Sequence, residues 1–289
     1  MIHRLAWCDG AVLPVQDVVV SGLDRTVLYG LGAFETVRLH GGKPFLFERH
    51  VQRLQRSLAA VALPVPPAVA GLAAGVVELA ARLDSPSALC RVTVTAGAGP
   101  DAAGIPGTGP RVMAQLRPAP PESRPPVSVG VAPFAHDGRS PLAGVKTTSY
   151  LQHYLQREQA ESSGRVDDLM VDRDGHVTEG TVSNAFAVRG GTLVTPPVSE
   201  GILAGVTRGV VLELAAALRI PVEQSPLPVA ELASVDEFFL TGAGKCLVSV
   251  DLLDGRALPA ARPVTRALRE ALIQRIAAAC GVSPASIRF

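Results

Sequence analysis

The sequence predicts an α/β chain of two domains, and three observations carry that reading. It is 289 residues long, more than one small core needs. Strand-like alternation and helical periodicity interleave along it. A proline-rich stretch, "RPAPPESRPPV" at 117–127, reads as an extended, solvated linker. The cut gives an N-terminal α/β domain over 1–118, a linker over 119–126 and a C-terminal domain over 127–289.

The elements follow in order. In the first domain, "ERHVQRLQRSLAAV" (48–61) sets Val51, Leu54, Leu58 and Val61 on one helical face. Residues 68–83 form a second apolar helix, started by the prolines of "PVPP". "LCRVTVTAG" (89–97) and "RVMAQLRP" (111–118) alternate as paired strands around a Gly/Pro-rich loop. In the second domain "VSVGVAPF" (127–134) is a strand. A helix then runs to Gly164, with Tyr150, Leu151, Tyr154 and Leu155 on its inner face. "DDLMVDRDGHVTEG" reads as strand, Asp-Gly turn, strand, and "NAFAVRGGTLVTPP" as a hairpin about Gly-Gly. "TRGVVLELAAALRI" (207–220) is a helix capped by Thr207. "VDEFFLTGAG" is a strand entering a glycine loop, and 265–279 is the last helix.

Composition narrows the function. The chain is 47% hydrophobic and 18% charged, which suits a folded globular protein. A net charge of +1 supplies no basic field for nucleic acid or an anionic membrane. The start, "MIHRLAWCDG", has no apolar core of a signal peptide. The apolar run at 68–83 is broken by Glu78 and falls short of a membrane span. Cys8, Cys90, Cys246 and Cys280 are far apart with no CxxC pair. They argue against a zinc site and a disulfide scaffold, and for a reducing cytoplasm.

Lysine is scarce: Lys43, Lys146 and Lys245 stand among 27 basic residues. A catalytic lysine serves either as a charge for phosphate or as an amine that condenses with a carbonyl, and the second use needs desolvation. Lys146, in "GVKTTSYLQHYL", leaves a loop before an apolar helix, so burial of its amine is expected. Lys43 lies in the turn "HGGKPF". Lys245, in "TGAGKC", fails the phosphate-loop pattern, with Phe239 at the first glycine and Cys246 at the Ser/Thr. The helix start at Thr207 could hold an anion or be an ordinary cap. Taken alone, Arg53 reads as a solvated arginine and Glu179, in "VTEGTVSNAF", as a turn or cap residue.

Taken together the stretches resemble the fold-type IV, class IV pyridoxal phosphate enzymes: branched-chain aminotransferases, D-amino-acid aminotransferases and aminodeoxychorismate lyases. "DRTVLYGLGAFETVRLHGGKPFLFERHVQRL" (24–54), "VKTTSYL", "VTEGTVSNAFAV", "GILAGVTRGVV" and "DEFFLTGAG" carry the resemblance, in order, from about Trp7 to Val250. It implies a two-domain α/β enzyme with pyridoxal 5'-phosphate in the cleft between domains, a small-molecule substrate and a homodimer. Residue by residue, Lys146 matches the lysine that carries the cofactor and shuttles the proton. Glu179 matches the carboxylate facing the pyridine nitrogen, and Arg53 the phosphate-binding arginine. Val206 and Thr207 match the helix-start phosphate contacts, Leu203 the side chain packed on the ring, and Tyr150 a contact to the phenolic oxygen. Tyr29, Phe34, Thr36 and Arg38 fall where the family lines its substrate pocket.

The sequence also departs from the family. Ala243, followed by Gly244, stands where many members carry a phosphate-binding threonine, leaving backbone donors. Ala96 stands where lyases and D-amino-acid enzymes often carry an arginine, so Arg38, Arg91 or Arg111 is the candidate carboxylate partner. "FETVR", with Thr36 where branched-chain enzymes typically have glycine, and the spacing from Lys146 to Glu179 look more like aminodeoxychorismate lyase. The expected reaction is release of pyruvate to give p-aminobenzoate, in folate synthesis. The alternative is an aminotransferase for branched-chain or D-amino acids.

Overall fold

A computed structural model describes residues 4–83, 85, 87–102, 104–120, 122–123, 125–135 and 137–289. Pro121 and Arg124 of the predicted linker lie outside the described residues. The chain forms two compact units. The first comprises Met1–Pro120, Val145–Tyr150 and Ile276–Ser283; the second comprises Pro121–Gly144, Leu151–Arg275 and Pro284–Phe289. A single cut at 119–126 would instead put the Lys146 segment in the second. The reason it groups with the first is backbone pairing. Phe34 N–H donates to the Lys146 carbonyl at 3.1 Å, Thr148 N–H donates to the Gly32 carbonyl at 3.0 Å, and Ala33 bridges Thr147.

The first unit contains β1 (Leu5–Cys8), β2 (Ala11–Pro14), α1 (Arg25–Tyr29), β3 (Gly32–His40), β4 (Lys43–Pro44), α2 (Phe47–Ala60), α3 (Leu72–Ala81), β5 (Ser87–Thr95) and β6 (Val112–Pro118). Its antiparallel sheet has the order β2-β1-β6-β5-β3-β4. Strand alternation splits β3 into two faces. Ala33, Val37 and Leu39 enter a core shared with Leu54 and Leu58 of α2 and Leu72, Val76 and Leu79 of α3. Phe34, Thr36 and Arg38 share the other face. Thr36 lies opposite Arg91 of β5, and Arg38 opposite Leu89. The helix predicted over 68–83 is a 3-10 turn at Pro67–Gly71 followed by α3, with Pro66 at the N-cap and proline in the first turn, where no amide donor is needed. Gly75 is required inside α3: a Cβ there would lie 2.2 Å from Trp7 Nε1.

The second unit contains β7 (Ser128–Ala135), α4 (Leu151–Ser162), β8 (Asp167–Val171), β9 (His176–Gly180), β10 (Asn184–Arg189), β11 (Thr192–Thr195), α5 (Val206–Ala217), β12 (Val222–Gln224), β13 (Leu227–Pro228), β14 (Glu237–Gly242), β15 (Cys246–Ser249), β16 (Leu252–Leu253), β17 (Arg256–Ala257) and α6 (Pro263–Cys280). One sheet runs β13-β9-β8-β7-β16-β17 and the other β12-β11-β10-β14-β15. Val129, Leu169 and Val177 of the first meet Ala185, Val194, Phe238 and Leu240 of the second in one core. The chain passes from one sheet to the other in the short turn between β9 and β10, with Glu179 before it and Asn184 after it.

The expected inner face of α4 is a correction. Gln156 and Ala160 are buried, whereas Leu151, Tyr154 and Leu155 are 68%, 54% and 56% exposed. Apolar spacing creates a face but does not say what covers it. The predicted cap of α5 also changes: the N-cap is Gly205, and Thr207 lies inside the first turn. Among the described residues no helix is long and apolar enough to cross a membrane.

Candidate active site

In the first unit, Lys146 sits at the sheet edge beside the start of β3. Its amide donates to Ser57 Oγ of α2 at 3.3 Å. Its amine lies 4.4 Å from the Phe34 ring centroid and 5.6 Å from that of Tyr150. The two rings meet edge to face, 5.1 Å apart. The Arg91 guanidinium stacks on Phe34 at 3.9 Å. Phe34 is buried, so it is a fixed aromatic wall touched by two cations. Arg38 is buried on the same strand face. Arg111 is bound instead to Asp9 Oδ2 at 3.0 Å. Tyr29, on α1, is 73% exposed.

Arg53 is reached from the core face of β3. Its Nε and Nη2 donate to Glu35 Oε1 and Oε2 at 2.7 and 2.8 Å, and His50 Nδ1 stands 2.8 Å from Glu35 Oε2. All three residues are buried. Burial alone would raise the Glu35 pKa, but the hydrogen bonds and charges of Arg53 and His50 outweigh it and hold the carboxyl at about 2. Burial lowers His50, helped by the Arg53 and Lys146 charges against the pull of Glu35. With an ionised acceptor beside it, the neutral imidazole carries its proton on Nδ1.

In the second unit, Glu179 Oε2 accepts from Leu203 N–H at 3.1 Å and Asn184 Nδ2 at 3.2 Å. Asn184 Nδ2 also donates to the Leu203 carbonyl at 2.9 Å. This ties the end of β9, the start of β10 and the loop entering α5 together. No side chain caps α5. Its first amide groups, at Val206, Thr207 and Arg208, and the positive end of its dipole therefore face outward from the helix start. A Cβ on Gly205 would lie 2.0 Å from Asn184 Oδ1, so only glycine fits this cap. Arg208, buried at the first turn, donates through Nη2 to the Pro196 carbonyl and Gln224 Oε1, each at 2.9 Å. Burial lowers its pKa, opposed by the Glu179 charge. Ala243 and Gly244 occupy the turn from β14 to β15. No cluster of three His, Cys, Asp or Glu able to hold a metal occurs among the described residues.

Lys146, Phe34, Tyr150 and Arg91 are thus brought together, as are Glu179, Leu203 and the start of α5. Tyr29 and Arg111 join neither group through a bond or ring contact described above. Sequence reasoning missed Glu35, His50, Ser57 and Asn184. The first three had a signal: His50, Arg53 and Ser57 recur at helical spacing on α2, and Glu35 stands in step with the core residues of β3.

A family model described as amino-transferase class IV matches residues 32–253. A putative branched-chain-amino-acid aminotransferase of Methanocaldococcus jannaschii is 32% identical over 261 residues, 87% of this chain and 88% of its own. An aminodeoxychorismate lyase of Bacillus subtilis is 28% identical over 243 residues, 83% of each chain. The fold is similar to a branched-chain aminotransferase from Thermoproteus uzoniensis, solved with norvaline. That match has 26% identity and a TM-score of 0.84, covering 96% of this chain and 95% of that one. With most of its length matched in sequence and in fold, the chain belongs to the class IV aminotransferase family of fold-type IV, enzymes that depend on pyridoxal phosphate.

Proposed function

We propose that this enzyme releases pyruvate from 4-amino-4-deoxychorismate to give p-aminobenzoate. The observation that carries the reading is Arg91, stacked on Phe34 beside the Lys146 amine and opposite Thr36 in the strand register. It offers a solvent-reachable cation for a substrate carboxylate next to the reactive amine, and the buried Arg38 on the same face offers a second. The substrate of the lyase carries two carboxylates.

The chemistry of the donors fits pyridoxal phosphate. The cap of α5 is a glycine with no side-chain bond, and it leaves helix N–H donors for a phosphate. In the second unit Val206 and Thr207 would hold that phosphate, and Ala243 and Gly244 would add only backbone donors; in the first unit Arg53 is the phosphate-binding candidate by its family position. Glu179, already oriented by two N–H donors, would face the pyridine nitrogen; Leu203 would pack on the ring and Tyr150 would reach the phenolic oxygen. When bound, pyridoxal phosphate supplies an electron sink for charge developing on the substrate carbon. Lys146 Nζ takes the proton from the carbon bearing the amine. It returns that proton to the departing enolpyruvyl group, which leaves as pyruvate. Phe34 and Tyr150 keep water from the amine, while Arg91 and Arg38 orient the carboxylates.

A second reading is an aminotransferase for branched-chain or D-amino acids, and the Methanocaldococcus relative favours the branched-chain case. There Lys146 makes the same first proton transfer, and Arg91 takes the carboxylate of the oxo-acid acceptor. Incubation with aminodeoxychorismate, and separately with leucine or D-alanine plus 2-oxoglutarate, decides between them. p-Aminobenzoate and pyruvate are expected; glutamate without p-aminobenzoate would overturn the lyase.

We also propose a homodimer. The exposed Leu151, Tyr154 and Leu155 of α4 supply an apolar face of the kind a second copy covers. Light scattering should give twice the chain mass, and a monomer at micromolar concentration would sink this. A cytoplasmic role in folate synthesis accords with four buried free thiols.

A further inference from the structure

The turn between β9 and β10 is built around a carboxylate that the chemistry above does not use. Asp167, at the start of β8, is fully buried. Its Oδ1 accepts from Thr181 Oγ1 at 2.5 Å, Thr181 N–H at 2.9 Å and Asp168 N–H at 2.9 Å. Its Oδ2 accepts from Ser183 Oγ at 2.6 Å. Gly180 N–H closes the turn onto the Ser183 carbonyl. A Cβ on Gly180 would lie 2.3 Å from Ser183 Oγ and 2.7 Å from Asp167 Oδ2, so the turn is wrapped tightly on the carboxylate.

The ends of this turn are Glu179 and Asn184, which bond to each other and to Leu203. Asn184 also abuts Gly205, where α5 begins. We infer that Asp167 is a positioning residue: by gathering Thr181 and Ser183 it fixes Glu179 and Asn184 against the loop entering α5. The reason is geometric. Three residues, Thr181, Val182 and Ser183, join two different sheets here, and a turn that short has no ladder of its own to hold its shape. Two backbone N–H groups and two hydroxyls find their acceptor in one side chain instead. Thr181 N–H also donates to the Asp168 carbonyl at 3.1 Å, but without Asp167 the two hydroxyls and Asp168 N–H must re-pair, and the Glu179 carboxylate loses its fixed direction. The inference rests on the proposed role of Glu179 toward the pyridine nitrogen.

The test uses holoenzyme carrying Asp167→Ala, Asp167→Asn, Glu179→Gln and the Ala/Gln double change. Two quantities are read: the pH titration of the bound cofactor's absorption in the resting enzyme, and the rate of the half-reaction with an amino donor. Asp167→Ala should move the titration in the same direction as Glu179→Gln and slow the half-reaction about tenfold. In the Glu179→Gln background it should cost less than about twofold, because the group it positions is already disabled. Asp167→Asn should recover much of the loss, since its amide oxygen can still take the Oδ1 bonds. Equal factors in both backgrounds, or an unmoved titration in Asp167→Ala, would overturn the inference while leaving Glu179 its role. A silent Glu179→Gln would remove the role of Glu179 and the inference with it. Should Asp167→Ala fail to fold, Thr181→Val deletes one hydroxyl bond at constant shape. It should show the same background dependence at about threefold.

Discussion

Each unit buries a carboxylate at the root of its functional group, and the two are stabilised by opposite means. Glu35 is paired with a cation, sharing both oxygens with Arg53 and one with His50. Asp167 is bound by hydroxyls and amides alone. Their pKa values diverge accordingly. Glu35 is held down at about 2 despite its burial. Asp167 is raised by burial, which four hydrogen bonds from neutral donors do not overcome. The contrast separates two ways of fixing a buried side chain. One holds Arg53 with a counter-charge; the other holds a turn with a cluster of acceptors.

The contrast breaks if the carboxylate charge matters equally in both places. Glu35→Gln keeps the shape but leaves Arg53 buried without its counter-charge. Breaking a buried pair from one side costs about 3–5 kcal/mol. Asp167→Asn breaks no hydrogen-bonded ion pair, and its amide oxygen can still accept from Thr181 and Asp168. Its cost should be about 1 kcal/mol, the scale of one weakened hydrogen bond. Urea denaturation of the cofactor-free variants at pH 7 measures both. Equal costs would mean that Glu35 is not acting through charge.

Much of this arrangement was legible in the chain, for identifiable reasons. Lys146 stood out because lysine is scarce, and Arg53 and Glu179 because they sit in ordered motifs. The alternation of β5 and β6 is readable, whereas the strand β3 and the face shared by Phe34, Thr36 and Arg38 emerge only from the structure. What stayed hidden is polar and buried. Glu35, His50 and Asp167 are residue types expected at the surface, and only their three-dimensional partners explain their burial. The apolar face of α4 was found and assigned to the wrong side, because periodicity defines a stripe and not its neighbour. The sequence places the cap at Thr207 because hydroxyl residues favour that position. The cap is Gly205, since Asn184 leaves no room there for a side chain.

The sharpest form of the comparison is in its sign with pH. Glu35 has a folded pKa below its ordinary value, so the unfolded chain binds the proton first as pH falls. Its contribution is complete above about 4.5 and is lost as pH falls towards 2, on the order of 3 kcal/mol in all. Asp167 is displaced the other way. The folded chain binds its proton first, so its burial penalty is present at neutral pH and relieved as pH falls through the raised value towards 3.8. The two groups therefore act against each other on the acid side. Urea midpoints of wild type, Glu35→Gln and Asp167→Asn, taken at steps from pH 6 to pH 3, separate them. The gap between wild type and Glu35→Gln should narrow as pH falls below 4.5. The stability of wild type relative to Asp167→Asn should change in the opposite direction, rising as pH falls through the raised Asp167 value. Parallel curves for all three proteins would show that neither carboxyl differs in pKa between folded and unfolded states, and the distinction between the cation-paired and the hydroxyl-held acid would fall.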